Sequence, residues 1–180
     1  MSTEVERYFE TKKQGMTEEL NTCALAEIIS VELEYMRADI KLLIPEETII
    51  MQVPIAPMQT GDFIIRMPYK AGDKVVVTFS QTDNDPVLFG GGESSRRQHA
   101  LDDAVIIGGI MPFLQPLSAE FAEYESDLII AKRDSTSKIV LKESGEILIE
   151  ALENISINSQ KDITITAGGI ITTTDSRGGA

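Results

Sequence analysis

The stretch spanning residues 138–174, KIVLKESGEILIEALENISINSQKDITITAGGIITTT, repeats with a period of eight residues. Isoleucines recur at Ile139, Ile147, Ile155, Ile163 and Ile171, each followed two places on by Leu141, Ile149, Ile157, Ile165 and Thr173. Two apolar positions separated by one residue share a face of a strand whose side chains alternate. GEILIE, ENISIN and KDITIT are therefore copies of one unit, a short strand followed by a bend. The column between the apolar pair reads Val140, Leu148, Ser156, Thr164, Thr172, and the column after it Lys142, Glu150, Asn158, Thr166, Thr174. These columns belong on a solvated outer surface that grows more polar towards the C-terminus.

A strand residue advances only about 3.3 Å, and three walls with corners need roughly twenty residues. Each octad can thus supply one wall of a prism but cannot close it. Identical chains supplying the other walls close it most simply, which predicts an obligate homotrimer. Its core would be Ile139, Leu141, Ile147, Ile149, Ile155, Ile157, Ile163, Ile165 and Ile171. The competing reading of the same period is an antiparallel meander of short strands. Residues 150–154 and 158–162 lack the Asn-Gly or glycine-rich turns that tight hairpins favour. Glycine interrupts the pattern only at Gly145, Gly168 and Gly169.

Upstream of the octads the texture changes. Residues 1–20 read as a short helix, with Thr3 and Glu6 at capping-box spacing and a stripe through Val5, Tyr8, Phe9, Lys12, Met16 and Leu20. Residues 21–116 read as a small barrel of short strands, at 24–31, 37–44, 48–53, 62–67, 74–80, 87–90 and 104–108. Turns are expected at 54–61, 68–73 and 82–86. The segment Lys74–Phe79, β-branched at four of its positions and opened by Gly72 and Asp73, is expected as a central strand. Residues 117–137 form a neck in which Phe121 and Tyr124 bury against the barrel or a neighbouring copy, and 138–180 form the rod.

Composition is that of an ordinary soluble protein, at 42% hydrophobic and 25% charged over 180 residues. No apolar run approaches the eighteen or so residues that span a bilayer, and the N-terminus lacks a secretory pattern. The net charge of −13 is uneven: residues 1–131 carry 10 Lys and Arg against 22 Asp and Glu, and 132–180 carry 6 against 7. An acidic front disfavours phosphate backbones, so no nucleic-acid partner is expected. Near-neutrality in the octads lets copies lie side by side. The single cysteine, Cys23, is expected as a small buried hydrophobe.

Four segments, LNTCALAEIISV, IIMQVPI, MPYKAGDKVVVTFSQTD and RRQHALDDAVIIGGIMP, resemble in order and spacing the central baseplate spike proteins of bacteriophage tails. The octads resemble the needles of such spikes and of type VI secretion spikes. The resemblance implies an all-β chain, an OB-fold barrel followed by an intertwined triple-stranded β-helix. It implies a virion location in the tail baseplate of a phage or phage-tail-like particle. Implied partners are the chain's own copies, a baseplate hub, a separate tip-capping protein and the host cell envelope. Family needles often end in a His-x-His iron site, but His99 is the only histidine and the chain ends TTTDSRGGA, so no metal or cofactor is expected. No lysozyme-like insert separates barrel from rod.

Other constellations read as structural. His99, Asp102 and Asp103, with Gly72 and Asp73, belong to the barrel motif. Adjacent carboxylates entering a strand face opposite sides, so hydrogen bonding that fixes a loop is preferred to metal binding. Gly90, Gly91 and Gly92 lack a following Lys-Ser/Thr and read as a loop. Arg96 and Arg97 are expected to pair with acidic residues of a neighbouring subunit. Glu143, Glu146, Glu150 and Glu153 read as solvated side chains rather than a glycosidase pair. The chain is expected to be non-enzymatic, with an OB-barrel carbohydrate-binding module on a trimeric stalk as the alternative. Tyr35, Phe63, Tyr69, Phe79 and Phe89 would be the aromatic platform of such a module, but they are scattered along the chain.

Overall fold

The computed structural model describes residues 4, 6–8, 21–44 and 47–174. Of the expected N-terminal helix, residues 4 and 6–8 are helical, and the rest lies outside the described residues, as does the end of the rod beyond residue 174. The chain divides into two compact units, Met1–Pro116 and Leu117–Ala180. No helix among the described residues is long and apolar enough to cross a membrane.

Unit 1 is built from β1 (Cys23–Glu32), β2 (Arg37–Leu42), β3 (Ile49–Pro54), a small hairpin β4 (Met58–Gln59) and β5 (Ile64–Ile65), then β6 (Lys74–Phe79) and β7 (Ala104–Gly109). The five long strands form one antiparallel sheet in the order β3-β2-β1-β6-β7. The sheet curls until the chain just beyond β3 meets β7 in a parallel bridge between Ile55 and Ile106, where the Ala56 amide donates to the Ile106 carbonyl at 2.9 Å. The result is a half-barrel of OB type, with β6 bonded on both sides.

Curling follows from bulges. Register slips between Ile28 and Ser30 on β1 and, opposite Ala38 and Ile40 of β2, between Val53 and Ile50 on β3. Each bulge bends its strand and raises local twist. Asp39 pins both places: its carboxylate accepts from the Ser30 hydroxyl at 2.7 Å and from the Gln52 amide at 2.9 Å, and Gln52 sits at φ 56°. The inside of so tight a curve is narrow. Ala26, Ala38 and Ala104 line it beside Ile28, Ile40, Val53, Val75, Val77, Phe79 and Ile106, all buried.

Three expectations change here. Residues 87–90 do not form a strand: Pro86 begins a helical turn, Asp85–Leu88, for which its fixed φ is suited. The strand expected over 62–67 shrinks to Ile64–Ile65, paired with Met58 and Gln59. Cys23 is exposed, because β1 turns Ala26 and Ile28 inward and leaves Cys23 opposite Thr78 at the start of the strand.

Unit 2 begins with a 3-10 segment, Ala119–Tyr124, followed by β8 (Leu128–Ala131), β9 (Ser137–Leu141) and β10 (Ile147–Ala151). These strands form an antiparallel meander in the order β10-β9-β8. The first two octads therefore pair with each other as a hairpin rather than lying on separate walls. Gly145 makes the hairpin possible: it sits at φ 88°, where glycine alone is unstrained, its amide donates to the Lys142 carbonyl at 2.8 Å, and the Lys142 amide donates to Glu146 at 2.9 Å. Val140, expected on the outer surface, is fully buried, whereas Ile139 and Leu141 are exposed. Beyond β10 the Leu152 amide donates to the Thr136 carbonyl at 2.8 Å. Residues 153–174 then run on with no strand and no backbone-to-backbone hydrogen bond among the described residues.

Candidate functional site

Two places in the molecule carry more than packing. The first is the apolar column of the octads. All nine residues expected to fill a common axis face solvent in the single chain, from Ile139 at 39% exposed to Ile157 at 72%. None of them belongs to a buried cluster. Nine exposed aliphatic side chains along one stretch of chain make a candidate interaction surface.

The second is an ionic latch on the long segment between β6 and β7. Arg97 lies 2.8 Å from Asp83, 2.9 Å from Asp85 and 2.8 Å from Asp103, and its Nε donates to the second Asp103 oxygen at 2.9 Å. Asp103 is fully buried and also accepts from the Asn84 amide at 3.0 Å. Asp83 accepts from the amides of Ser95 at 2.7 Å and Asp85 at 3.1 Å. A bidentate guanidinium with further charge-assisted bonds holds the two ends of the segment together. Arg97 thus pairs within its own chain rather than across subunits, while Arg96 is exposed. Glycines at positive φ, Gly90, Gly91 and Gly92, make the bend that brings the partners together.

The remaining motif residues divide the same way. His99, at φ 49°, clamps Asn21: its Nδ1 lies 3.1 Å from the Asn21 carbonyl, and the Asn21 side-chain amide donates to the His99 carbonyl at 2.8 Å. Asp102 is exposed while Asp103 is buried, so the three do not converge on one point. Among the described residues no three or more His, Cys, Asp or Glu side chains are grouped so as to hold a metal ion. Gly72, at φ 92°, donates to the Ile28 carbonyl at 2.8 Å, and Asp73 accepts from the Lys70 amide at 2.8 Å, which shapes the turn into β6. Glu146 pairs with Lys142 at 2.7 Å and Glu150 with Lys138 at 3.2 Å. Of the aromatic side chains, Phe79 is in the core and Tyr69 packs against it, while Tyr35, Phe63 and Phe89 stand on separate segments.

Acid should loosen unit 1. Bonds from Arg97 hold the Asp103 carboxyl below its usual range, the Ser95 amide does so for Asp83, and the Ser30 hydroxyl and Gln52 amide do so for Asp39. A depressed folded-state pKa contributes stability that is complete above the unfolded value, about 4, and is lost as pH falls through the folded value. Melting temperature of the half-barrel, followed by circular dichroism, should therefore be level above about pH 5 and fall steeply below about pH 4. A melting temperature unchanged between those conditions would contradict the latch.

Residues 16–109 match the family model described as the phage protein Gp138 N-terminal domain. The match spans all seven strands of unit 1 and ends where β7 ends. The chain belongs to this family of phage proteins. No curated protein matches it. Family membership supports a phage structural role and association with the virion.

Proposed function

We propose that the chain is a non-enzymatic structural component of the central spike at the tip of a phage tail or phage-tail-like particle, working as a homotrimer. In this reading the OB-type half-barrel docks on the baseplate hub. The octads of three copies wind into a rigid rod directed at the host envelope, with room for a separate tip-capping protein.

One observation carries it: residues 153–174 form no strand, with Ile155, Ile157, Ile163 and Ile165 all at least half exposed and no backbone-to-backbone hydrogen bond from their amides among the described residues. Backbone groups and aliphatic side chains in that state need a partner to be buried. A partner with the same period satisfies both at once, and the nearest one is another copy of the chain. Closed pairing would also remove the exposed strand edges from which a loaded rod could unzip.

Sedimentation equilibrium of the purified chain tests this. The expected mass is three times the 19.8 kDa of one chain. A single well-folded species of 19.8 kDa would refute the proposal.

A further inference from the structure

The two bulges that curl the half-barrel flank a single residue. Asp39 of β2 stands where register slips on β1, between Ile28 and Ser30, and where it slips on β3, between Val53 and Ile50. Bulges bend sheets, but they also re-aim side chains and gather beside functional sites. Alternation turns Ala38 and Ile40 into the core and leaves Arg37 and Asp39 on the outer face of the sheet. There a cleft opens, lined by Ser30, Glu32, Arg37, Ala38, Asp39 and Gln52.

Strain collects at the same place. Of the four non-glycine residues at positive φ among those described, Gln52 lines the cleft, at 56°, and Met36, at 49°, adjoins Arg37. Backbone held in that region costs free energy and clusters at functional sites. A bend alone is better served by glycine, yet position 52 carries a glutamine. The lining groups are held in place and only partly used. Both Arg37 bonds, from Nε at 3.1 Å and Nη2 at 2.8 Å, go to Glu32 Oε2, while the guanidinium rests 4.9 Å from the centre of the Tyr35 ring. Glu32 Oε1 and the Gln52 side-chain amide make no hydrogen bond among the described residues. Each Asp39 oxygen accepts one bond, from the Ser30 hydroxyl or the Gln52 backbone amide, and has a lone pair left.

Carboxylate and amide oxygens that accept thus stand beside guanidinium and amide N–H groups that donate, which suits a ligand whose polar groups each do both. A hydroxyl does. Two carboxylates against one guanidinium turn away phosphate, sulfate and uronate. Neither carboxylate is bare, since Arg37 holds one and Ser30 with the Gln52 amide holds the other, so little charge is left to draw an ammonium group. We infer that this cleft is a subsite for one neutral sugar ring, bound through adjacent hydroxyls by Asp39, Arg37 and Gln52. A few placed polar groups in a concavity are what fixes the orientation of a small ligand. Such a subsite works whatever the oligomeric state of the chain, and it adds sugar recognition to the structural role proposed above.

The test is saturation-transfer difference NMR on the full chain. Methyl glycosides of glucose, galactose and N-acetylglucosamine are the probes, with methyl glucuronide and spermidine as charged comparisons. Transfer to at least one neutral glycoside is expected, with a dissociation constant of about 1–10 mM, as suits one ring held by a few hydrogen bonds. Gln52→Gly removes the side-chain amide while suiting the left-handed backbone, and Arg37→Lys keeps the charge but loses the planar fork. Each is expected to weaken binding about tenfold or more with the half-barrel still folded by circular dichroism. Absence of transfer to every neutral glycoside up to about 50 mM overturns the subsite. Binding that both variants leave unchanged, or transfer to a charged comparison in preference to the neutral rings, overturns it as well. Should a variant unfold, amide shifts of the parent chain on sugar titration decide: movement at Asp39 and Gln52 supports the subsite, and movement elsewhere alone overturns it. None of these outcomes bears on the trimer, which sedimentation decides separately.

Discussion

Ile155→Asp, or Ile163→Asp, is expected to turn the trimer into monomers while leaving the half-barrel folded. Both residues face solvent in the single chain, at 54% and 53% exposed, and neither belongs to a buried cluster. Within one copy an aspartate there meets water and costs little. About a threefold axis the same substitution brings three carboxylates together in an apolar core, where burial disfavours each charge and like charges repel. Even about 2 kcal/mol at each of three sites weakens association by roughly four orders of magnitude. The contrast between large loss of association and unchanged folding separates an interface residue from a core residue. It is read from two measurements on one sample: sedimentation mass, expected to fall to that of one chain, and the melting transition of residues 21–116, expected to stay in place. Trimers that persist with either aspartate would show that the column does not lie on an axis.

Part of the single chain's fold could be read before any coordinates. The octad column announces a strand face; the first two octads are strands, the later ones are not, and the column is exposed throughout. Lys74–Phe79 reads as an interior strand because its valines suit a pleated surface, and it is bonded on both sides. Gly145 is the one glycine in the early octads, and it is there that the chain turns back; residues 152–167, without a glycine, form no such hairpin. What escaped the sequence reading has physical causes too. From residue 22 to 31 nearly every position is apolar or small, so periodicity does not say which phase faces inward. The narrow curve of the half-barrel decides it by admitting alanine at 26 and excluding Leu25. Arg97 finds its carboxylates at positions 83, 85 and 103, spacings that no local motif encodes, so only the fold of the segment reveals an intrachain latch. Leu128 and Ile130 lie outside the period and are placed only by their register opposite Leu141 and Ile139.

Arg97→Ala should be the most damaging single change to unit 1. Removing the guanidinium leaves Asp103 fully buried with one remaining backbone donor, Asn84, and leaves Asp83 and Asp85 facing it with no positive charge between them. A buried carboxylate stripped of its partner either stays charged at high cost or takes up a proton, and both outcomes destabilise the fold at neutral pH. A fall in melting temperature of roughly 10 °C or more is expected for a unit of this size. Arg97→Lys should recover only part of it, since an ammonium cannot reproduce the two parallel bonds to Asp103. The pH dependence discriminates the latch from a general loss of packing. In the wild type, stability drops as Asp103 and Asp83 are protonated below about pH 4; without Arg97 the carboxyls lose the group that favours their charged form, so that drop should shrink and the two proteins should converge in acid. Wild type and variant separated by the same interval at pH 7 and pH 3 would mean that the arginine acts through its hydrocarbon stem alone. Because the segment it closes joins β6 to β7, opening the latch should first free the edge of the half-barrel at the Ile55–Ile106 bridge, where hydrogen exchange of the Ala56 amide would report it.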